Sequence, residues 1–271
     1  MGTAPISIYQ VDAFTDRVFA GNPAAVCPLD AWIDAGVMQA IATENNLSET
    51  AFFAPDGQDG ADYAIRWFTP VDEIDLAGHP TLATAHVIFS ALEPTRETVT
   101  FSTRLGDTLS VVRAGDRLTM DFPARAPQPN DALGDVAAAL GAEPAEVLAA
   151  RDGFAVFKSE AEVAALAPDM AAVAGLDCMG LIATAPGDEC DFVSRFFAPK
   201  MGVPEDPVTG SAHCTLIPYW GERLGKTEML AHQISARGGT IHCGHDGTRV
   251  RIGGGAVTYM TGTIMTGTFA P

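Results

Sequence analysis

Apolar residues along the first half of the chain fall in short runs and alternations that are separated by Gly, Pro, Asn and Asp. This pattern is typical of short β-strands joined by turns. One segment, 80–92, is apolar on nearly every face, which predicts a helix surrounded by its own domain. Asp30 is expected to cap an earlier helix that runs to about Glu44. The predicted strands of this half cover residues 6–14, 24–29, 49–54, 63–68, 98–112 and 117–122.

The second half predicts a similar arrangement, preceded by two alanine-rich stretches. Residues 132–150 and 161–174 are expected to be helical, because Ala has a high helix propensity. The elements predicted after them are strands at 180–185 and 191–197, a buried helix from Ser211 to about Gly225, and strands between 233 and 268. Each half therefore predicts a curved, mainly antiparallel sheet wrapped around one central helix, and the fold class is α+β.

The two halves also repeat one another in sequence. Residues 62–70 return as 191–199, 129 residues later, with Asp, Arg and Pro in register. A repeat this long exceeds the roughly 20 to 50 residues of solenoid units, so it indicates two similar domains made by duplication. A proline-rich stretch beginning at Pro123 is the best linker, because proline interrupts both helix and sheet. We expect domains at 1–124 and 125–271, with the last strand free to return to the first domain.

The composition is typical of a globular protein and argues against nucleic-acid and membrane partners. Of the 271 residues, 47% are hydrophobic and 18% are charged, and the formal net charge is −18. An acidic chain without a basic cluster repels a phosphate backbone, so we expect no nucleic-acid partner. No apolar run reaches the roughly 18 residues that span a bilayer, and no secretory signal is apparent. Five cysteines without a CxxC pair suit a reducing compartment. We therefore expect a cytoplasmic protein without a membrane partner.

Aligning the two halves reveals one position where they differ in chemistry. Glu49 of the first half stands opposite Gly180 of the second, so only one half carries a carboxylate there. A Glu held against apolar walls has a raised pKa and can serve as a general acid/base. A Glu at the start of a strand is also commonly exposed and without a role, and the neighbouring residues do not decide between the two interpretations. Asp206, just before the second central helix, and Asp75, in a similar place in the first half, are further candidates.

Both central helices are predicted to begin at a glycine followed by a residue that can cap. The motifs are Gly78-His79-Pro80 and Gly210-Ser211-Ala212. Free N–H groups and the positive end of the helix dipole suit an anion, most simply a carboxylate. Ordinary capping, with Ser211 as the cap, is the alternative. Gly78, Gly210 and Ser211 are thus candidate substrate-binding residues.

Cofactor and metal motifs are not apparent in the sequence. His242-Cys243-Gly244-His245 offers two histidines and one thiol but no fourth ligand for zinc. Neither a P-loop nor a dinucleotide-binding glycine motif is present. We therefore expect no metal and no cofactor. Arg66 and Arg195, which repeat inside predicted strands, are expected to form structural ion pairs.

Four motifs, in order, resemble those of a known family. They are Val11-Asp12-Ala13-Phe14-Thr15 with Phe19-Ala20-Gly21-Asn22-Pro23, Asn46-Leu47-Ser48-Glu49-Thr50, Asp75-Leu76-Ala77-Gly78-His79-Pro80-Thr81, and Glu205-Asp206-Pro207-Val208-Thr209-Gly210-Ser211-Ala212. With these motifs the chain resembles, over nearly its whole length, the PhzF family of phenazine-biosynthesis-like proteins. The resemblance implies the diaminopimelate-epimerase-like fold, with two pseudo-symmetric domains, a site between them, and a homodimer.

The resemblance also implies which residues are functional. Epimerases of this superfamily use two cysteines, but this chain has Ala77 and Val208 near those places, so a two-thiol mechanism is not available to it. The PhzF branch uses one glutamate as acid/base, and Glu49 matches that residue. The other site residues that the resemblance implies are His79, Asp206 and Ser211.

The reaction implied by the resemblance is a cofactor-free isomerisation. Glu49 would move a proton between two carbons of a small cyclic substrate such as dihydro-hydroxyanthranilate, with the helix starts holding its carboxylate and Asp206 its amine. Two alternatives stay open, because a fold and its site can be reused. One is a one-base epimerase, racemase or dehydratase of an amino or hydroxy acid. The other is a non-catalytic protein that binds a small anion.

Overall fold

The computed structural model describes residues 5–55, 58, 60–130 and 133–266. The chain divides into two units, the first consisting of Met1–Asp121 with Gly254–Pro271 and the second of Phe122–Gly253. The division thus follows Asp121, whereas the sequence predicted it after residue 124. Predicted elements that reach residues 132, 267 and 268 extend at those points outside the described residues.

The first unit is built mainly of strands, numbered here along the whole chain. They are β1 (Ile6–Ala13), β2 (Asn22–Pro28), β3 (Glu49–Ala54), β4 (Tyr63–Phe68), β5 (Glu73–Ile74), β6 (Thr98–Ser102), β7 (Thr108–Ala114), β8 (Arg117–Pro123) and β18 (Ala256–Ile264). The helices are α1 (Ala35–Asn45) and α2 (Gly78–Val87), and α2 continues as a π-helical turn over Ile88–Leu92.

At the centre of the first unit's sheet, one face packs against α1 and the other against α2. β3 lies between β2, to which it runs parallel, and β4, to which it runs antiparallel. Side chains alternate between faces along a strand, and Phe52 and Phe68 pack with Met38 in the apolar cluster around α1. The opposite face lies against α2, which contacts β1, β2, β3 and β18. α2 is buried along nearly its whole length, which confirms the prediction of a helix surrounded by its own domain.

The first helix starts later than the sequence predicted. α1 begins at Ala35, and the Asp34 carboxylate accepts a hydrogen bond from the Gly36 N–H at 2.9 Å. The prediction of Asp30 as the cap was therefore wrong. The physical reason is that Trp32 and Ile33 pack against the apolar cluster, which holds the chain outside a helix until Asp34.

The second unit repeats the order of elements and adds short helices. Its strands are β9 (Gln128–Pro129), β10 (Glu146–Ala149), β11 (Gly153–Val156), β12 (Leu181–Pro186), β13 (Phe192–Ala198), β14 (Val203–Asp206), β15 (Glu228–Gln233), β16 (Gly239–Asp246) and β17 (Arg249–Gly254). Its helices are α3 (Val136–Leu140), α4 (Glu160–Ala164), α5 (Met170–Gly175) and α6 (Gly210–Leu224), with a 3-10 turn over Pro199–Met201.

The alanine-rich stretches are less helical than predicted. α3 ends at Leu140, and Gly141 follows in the left-handed conformation. Residues 146–149 then form β10, which pairs antiparallel with β11. The stretch predicted as helical over 161–174 contains two short helices, α4 and α5, and Asp169 caps the second of them. High intrinsic propensity thus gives way to strand pairing and capping.

The central helix of the second unit is α6. It ends at Leu224, and Gly225 follows in the left-handed conformation, in agreement with the predicted end. Its buried residues form an almost continuous run from Ala212 to Gly221. Although α6 is 15 residues long, no helix in the described part of the chain has the length and hydropathy needed to cross a membrane.

The two repeated arginines make equivalent contacts. Arg66 donates two hydrogen bonds to the Glu73 carboxylate, both at 2.7 Å, and Arg195 donates two to Glu205, at 2.7 and 3.0 Å. Each guanidinium also lies over the ring of the phenylalanine two residues later, at 5.3 Å in the first unit and 4.9 Å in the second. The prediction of structural ion pairs is confirmed, and the duplication extends to side-chain geometry.

Candidate functional site

Glu49 and His79 are brought together in the first unit. Glu49 is the first residue of β3, and His79 is the second residue of α2. The His79 Nε2 lies 3.1 Å from the Glu49 Oε2, and the two side chains are only 5% and 14% exposed. The interpretation of Glu49 as an exposed strand residue therefore does not apply. A carboxyl group beside an imidazole, both largely withdrawn from water, can hold and transfer a proton.

The second ring nitrogen of His79 has a buried partner that the sequence analysis missed. The Asn22 amide Nδ2 lies 3.1 Å from His79 Nδ1, and Asn22 is fully buried at the start of β2. Burial lowers the pKa of His79 to about 3, so the imidazole is uncharged near neutral pH. Asn22 stands within one of the four motifs, but nothing local in the sequence indicated which side chain it would contact.

The start of α2 has no side-chain cap. Ala77 precedes the helix in an extended conformation, and no side chain hydrogen-bonds to the first turn from that position. Gly78 is the first helical residue, and Pro80 follows within the first turn, where its missing N–H costs nothing. A helix start without a side-chain cap suits an anion, which can accept hydrogen bonds from the backbone N–H groups of the first turn.

The start of α6 is similar, and it corrects the expectation for Ser211. α6 begins at Gly210 after Thr209, whose side chain makes no capping bond. Ser211 is the second helical residue and is not the cap. The reason is that Thr209 occupies the capping position and uses its hydroxyl elsewhere, donating to the Asp206 Oδ2 at 2.5 Å.

Asp206 is held by a network that the sequence analysis did not find. Besides the bond from Thr209, the backbone oxygen of Asp206 accepts a hydrogen bond from the Gln233 Nε2 at 2.7 Å. Gln233 also accepts from the Thr209 N–H at 2.8 Å, and His213 Nδ1 lies 2.8 Å from the Thr209 oxygen. Asp75, the similarly placed carboxylate of the first unit, instead forms an exposed ion pair with Arg104.

The position opposite Glu49 is filled in the second unit. A Cβ atom on Gly180 would lie 2.2 Å from the Cζ of Phe196, so the phenylalanine ring occupies the space of a side chain there. The difference between the two halves is therefore structural as well as chemical. A carboxylate at this position exists in the first unit alone.

Two of the residues considered as metal ligands near the end of the chain, Cys243 and His245, contact backbone oxygen atoms. Cys243 is buried in β16, with its thiol near the Ile241 oxygen, and burial raises its pKa. His245 Nε2 lies 3.1 Å from the Gly247 oxygen. Within the described residues, no three His, Cys, Asp or Glu side chains are grouped as metal ligands.

Comparison with solved structures defines the class of protein. A hydroxyproline epimerase from Agrobacterium vitis superposes with a TM-score of 0.63 at 11% identity, covering 97% of this chain and 94% of that one. A PhzF family protein from Enterococcus faecalis superposes with a TM-score of 0.92 at 47% identity, covering 96% and 99%. The fold is therefore the epimerase-like α+β fold that the sequence predicted.

Sequence comparison identifies the family. The family model described as phenazine biosynthesis-like protein matches residues 11–262. An uncharacterized isomerase of Pseudomonas aeruginosa is 54% identical over 259 residues, which cover 96% of this chain and 98% of the relative. The chain belongs to the phenazine biosynthesis-like, or PhzF, family. This membership places it among isomerases and confirms the class of enzyme predicted from the sequence.

Proposed function

We propose that the chain is an isomerase that moves a proton between two carbons of a small cyclic substrate bearing a carboxylate and an amine, with Glu49 as the general acid/base. The observation that carries this proposal is the pair formed by Glu49 and His79, with 3.1 Å between the facing atoms and little exposure of either side chain. Acid/base carboxyl groups work best when burial and fixed partners hold them at one place.

The neutral state of His79 supports a carboxyl group that changes protonation. A cationic neighbour would hold Glu49 as a carboxylate and oppose its protonation. His79, with its pKa lowered to about 3 by burial, exerts no such charge above that pH. The Asn22 amide lies 3.1 Å from Nδ1, while Nε2 faces the Glu49 Oε2 at 3.1 Å. His79 is thus proposed to be an uncharged polar neighbour that keeps the carboxyl group in place.

The proposed reaction needs no change of oxidation state. Glu49 as carboxylate takes a proton from one substrate carbon, the electrons of that C–H bond form a new double bond to the neighbouring carbon, and the electron pair of the original double bond moves to the far carbon of that bond. Glu49, now a carboxylic acid, returns the proton to the carbon at the far end of the shifted system. Atoms and electrons balance within the substrate, and the enzyme ends in its starting state.

The remaining candidates are proposed to bind the substrate. The uncapped starts of α2 and α6 offer backbone N–H groups at Gly78, Gly210 and Ser211, which suit a carboxylate. Asp206, oriented by Thr209 and Gln233, suits an ammonium group. We also propose a homodimer in the cytoplasm, as the family resemblance implies. Sedimentation velocity tests the dimer, and a single species at the monomer mass would refute it.

Proton NMR in deuterated water tests the function with dihydro-hydroxyanthranilate as substrate. The wild type is expected to move the double bond and to incorporate deuterium at the new C–H position. Glu49→Gln keeps the size of the side chain and removes its basicity, so turnover should fall by at least about 100-fold. Glu44→Gln is the matched control, because Glu44 is exposed on α1 near Glu49 in the chain and should retain full activity.

The same spectra separate the alternatives. Exchange at an alpha carbon, or release of water, without migration of a double bond would identify an epimerase or a dehydratase. Ligand-induced shifts in both wild type and Glu49→Gln, with no isotope exchange in either, would identify a binding protein. Equal turnover by Glu49→Gln and wild type would refute Glu49 as the acid/base.

A further inference from the structure

Trp67 carries a buried polar group without a partner. Its side chain is 1% exposed, and no atom of the described residues accepts a hydrogen bond from its indole Nε1. The indole N–H of Trp220, by contrast, donates to the Thr184 hydroxyl at 3.0 Å. An unpaired buried donor is unfavourable, so its presence in a folded protein requires an explanation.

Strand register places Trp67 on the same sheet face as Glu49. Trp67 on β4 is directly opposite Ala51 on β3, and Glu49 lies two residues before Ala51. Residues two apart on a strand point to the same face, and diagonal neighbours across an antiparallel pair are within reach of an aromatic ring. This is the face that lies against α2, since the other face packs around α1.

The second unit shows how an aromatic ring lies at this diagonal. Phe196 on β13 is opposite Ile182 on β12, in the same register as Trp67 and Ala51. Its ring reaches the space beside Gly180, the counterpart of Glu49, with Cζ 2.2 Å from where a Cβ would be. By this equivalence we expect the Trp67 ring to lie beside Glu49.

The two halves differ both at the position of Glu49 and at the position of Trp67. Where the first unit has Glu49, it has an aromatic residue with an N–H group beside it. Where the second unit lacks the carboxylate, the corresponding aromatic residue is Phe196, which has no polar atom. Of these two equivalent aromatic residues, the one with an unpartnered donor is thus in the half that carries the candidate acid/base.

We propose that the Trp67 indole N–H orients the substrate by donating a hydrogen bond to one of its oxygen atoms, a carboxylate or carbonyl oxygen next to the carbon that Glu49 deprotonates. The indole nitrogen can only donate, so the group that it recognises is an acceptor. A hydrogen bond there also stabilises the negative charge that develops on that oxygen when the proton leaves. This inference rests on the proposed function of Glu49.

Nitrogen-15 NMR of the indole groups tests this contact directly. The probe is 2-aminobenzoate, a stable cyclic carboxylate with an amine, titrated into the full-length chain. The Trp67 Nε1–H resonance, assigned through Trp67→Phe, is expected to move downfield on binding. The Trp220 resonance is the internal control and should stay in place, because its donor already has a partner. A Trp67 resonance that stays unchanged through the titration overturns the proposal.

Kinetics with dihydro-hydroxyanthranilate provides the second test. Trp67→Phe should lower kcat/KM by about 10- to 100-fold, the usual effect of losing a hydrogen bond to a charged group. Trp220→Phe removes an equally buried indole and should leave kcat/KM unchanged at a temperature where both variants are folded. Equal kcat/KM for Trp67→Phe and wild type also overturns the proposal. Failure of the function itself is read separately, as absence of double-bond migration in the wild type.

Discussion

Gly21 has a backbone conformation and a surrounding space that no other residue fits. Its φ is +64°, and a Cβ there would lie 2.2 Å from the backbone oxygen of Ala13 and 2.8 Å from the Thr15 Cγ2. The positive φ and the lack of space for a Cβ both occur in the turn that leads into β2. The next residue, Asn22, contacts His79. The conformation of Gly21 therefore helps to place Asn22 beside His79 of the candidate catalytic pair.

Gly21→Ala is expected to lower the free energy of unfolding by about 2 to 4 kcal/mol, because strain at positive φ adds to a clash with backbone. Gly106→Ala is the matched control. Gly106 also has a positive φ, +88°, but nothing lies within 4 Å of its Cβ position, so the cost should be about 1 kcal/mol. Urea denaturation of the two variants measures the difference. Equal losses would show that the close approach to Ala13 is relaxed at no cost.

At the scale of single residues, the sequence indicated which residues are candidates for a functional role, but it did not indicate which side chains they contact. Glu49 stood out because its counterpart is Gly180, and His79 because it begins a central helix. Asn22 could not be identified in this way, since it is 57 residues from His79 along the chain. Gln233 was missed for the same reason, because its bonds to Thr209 connect residues 24 apart. Contacts of this range depend on the sheet register, which the hydrophobic pattern does not provide.

Elements were predicted well where pattern and pairing agree. β3 and β4 have the bounds predicted, because aromatic and β-branched runs there are bordered by polar turns. The alanine-rich segments were predicted poorly, because Ala permits a helix without requiring one. Residues 146–149 satisfy their backbone groups by pairing with β11 instead, and tertiary pairing of this kind overrides propensity.

The start of α1 offers a direct test of one such correction. Asp34→Ala removes the carboxylate that accepts from the Gly36 N–H and should cost about 1 kcal/mol of stability. Asp30→Ala changes an exposed aspartate four residues earlier and should stay within about 0.5 kcal/mol of wild type. Thermal unfolding of both variants gives the comparison. A larger loss of stability for Asp30→Ala than for Asp34→Ala would support Asp30 as the cap, as the sequence suggested.

At the scale of the whole molecule, the end of the chain completes the unit that its beginning started. β18 pairs antiparallel with β1 from Ile6 opposite Ile264 to Ala13 opposite Ala256. The Gly255 oxygen also accepts a hydrogen bond from the Phe14 N–H at 2.8 Å. The sequence allowed this return but could not require it, because a strand pattern does not name its partner. The first unit is thus discontinuous in the chain.

A chain that ends at Gly253 should therefore lose the fold of its first unit, although the deleted segment follows the second. Without β18, β1 keeps β2 on one side but becomes an open edge on the other, where its backbone groups lose their partners, and such edges promote aggregation. A chain that ends at Thr266 keeps β18 whole and is the matched control, expected to melt like the full-length protein. Thermal melts followed by circular dichroism compare the two.

A synthetic peptide of residues 254–266 should restore the missing signal by pairing with β1, which would show that the strand itself, rather than chain length, was lost. If the chain ending at Gly253 melted like the control, β1 would not depend on β18 for its stability.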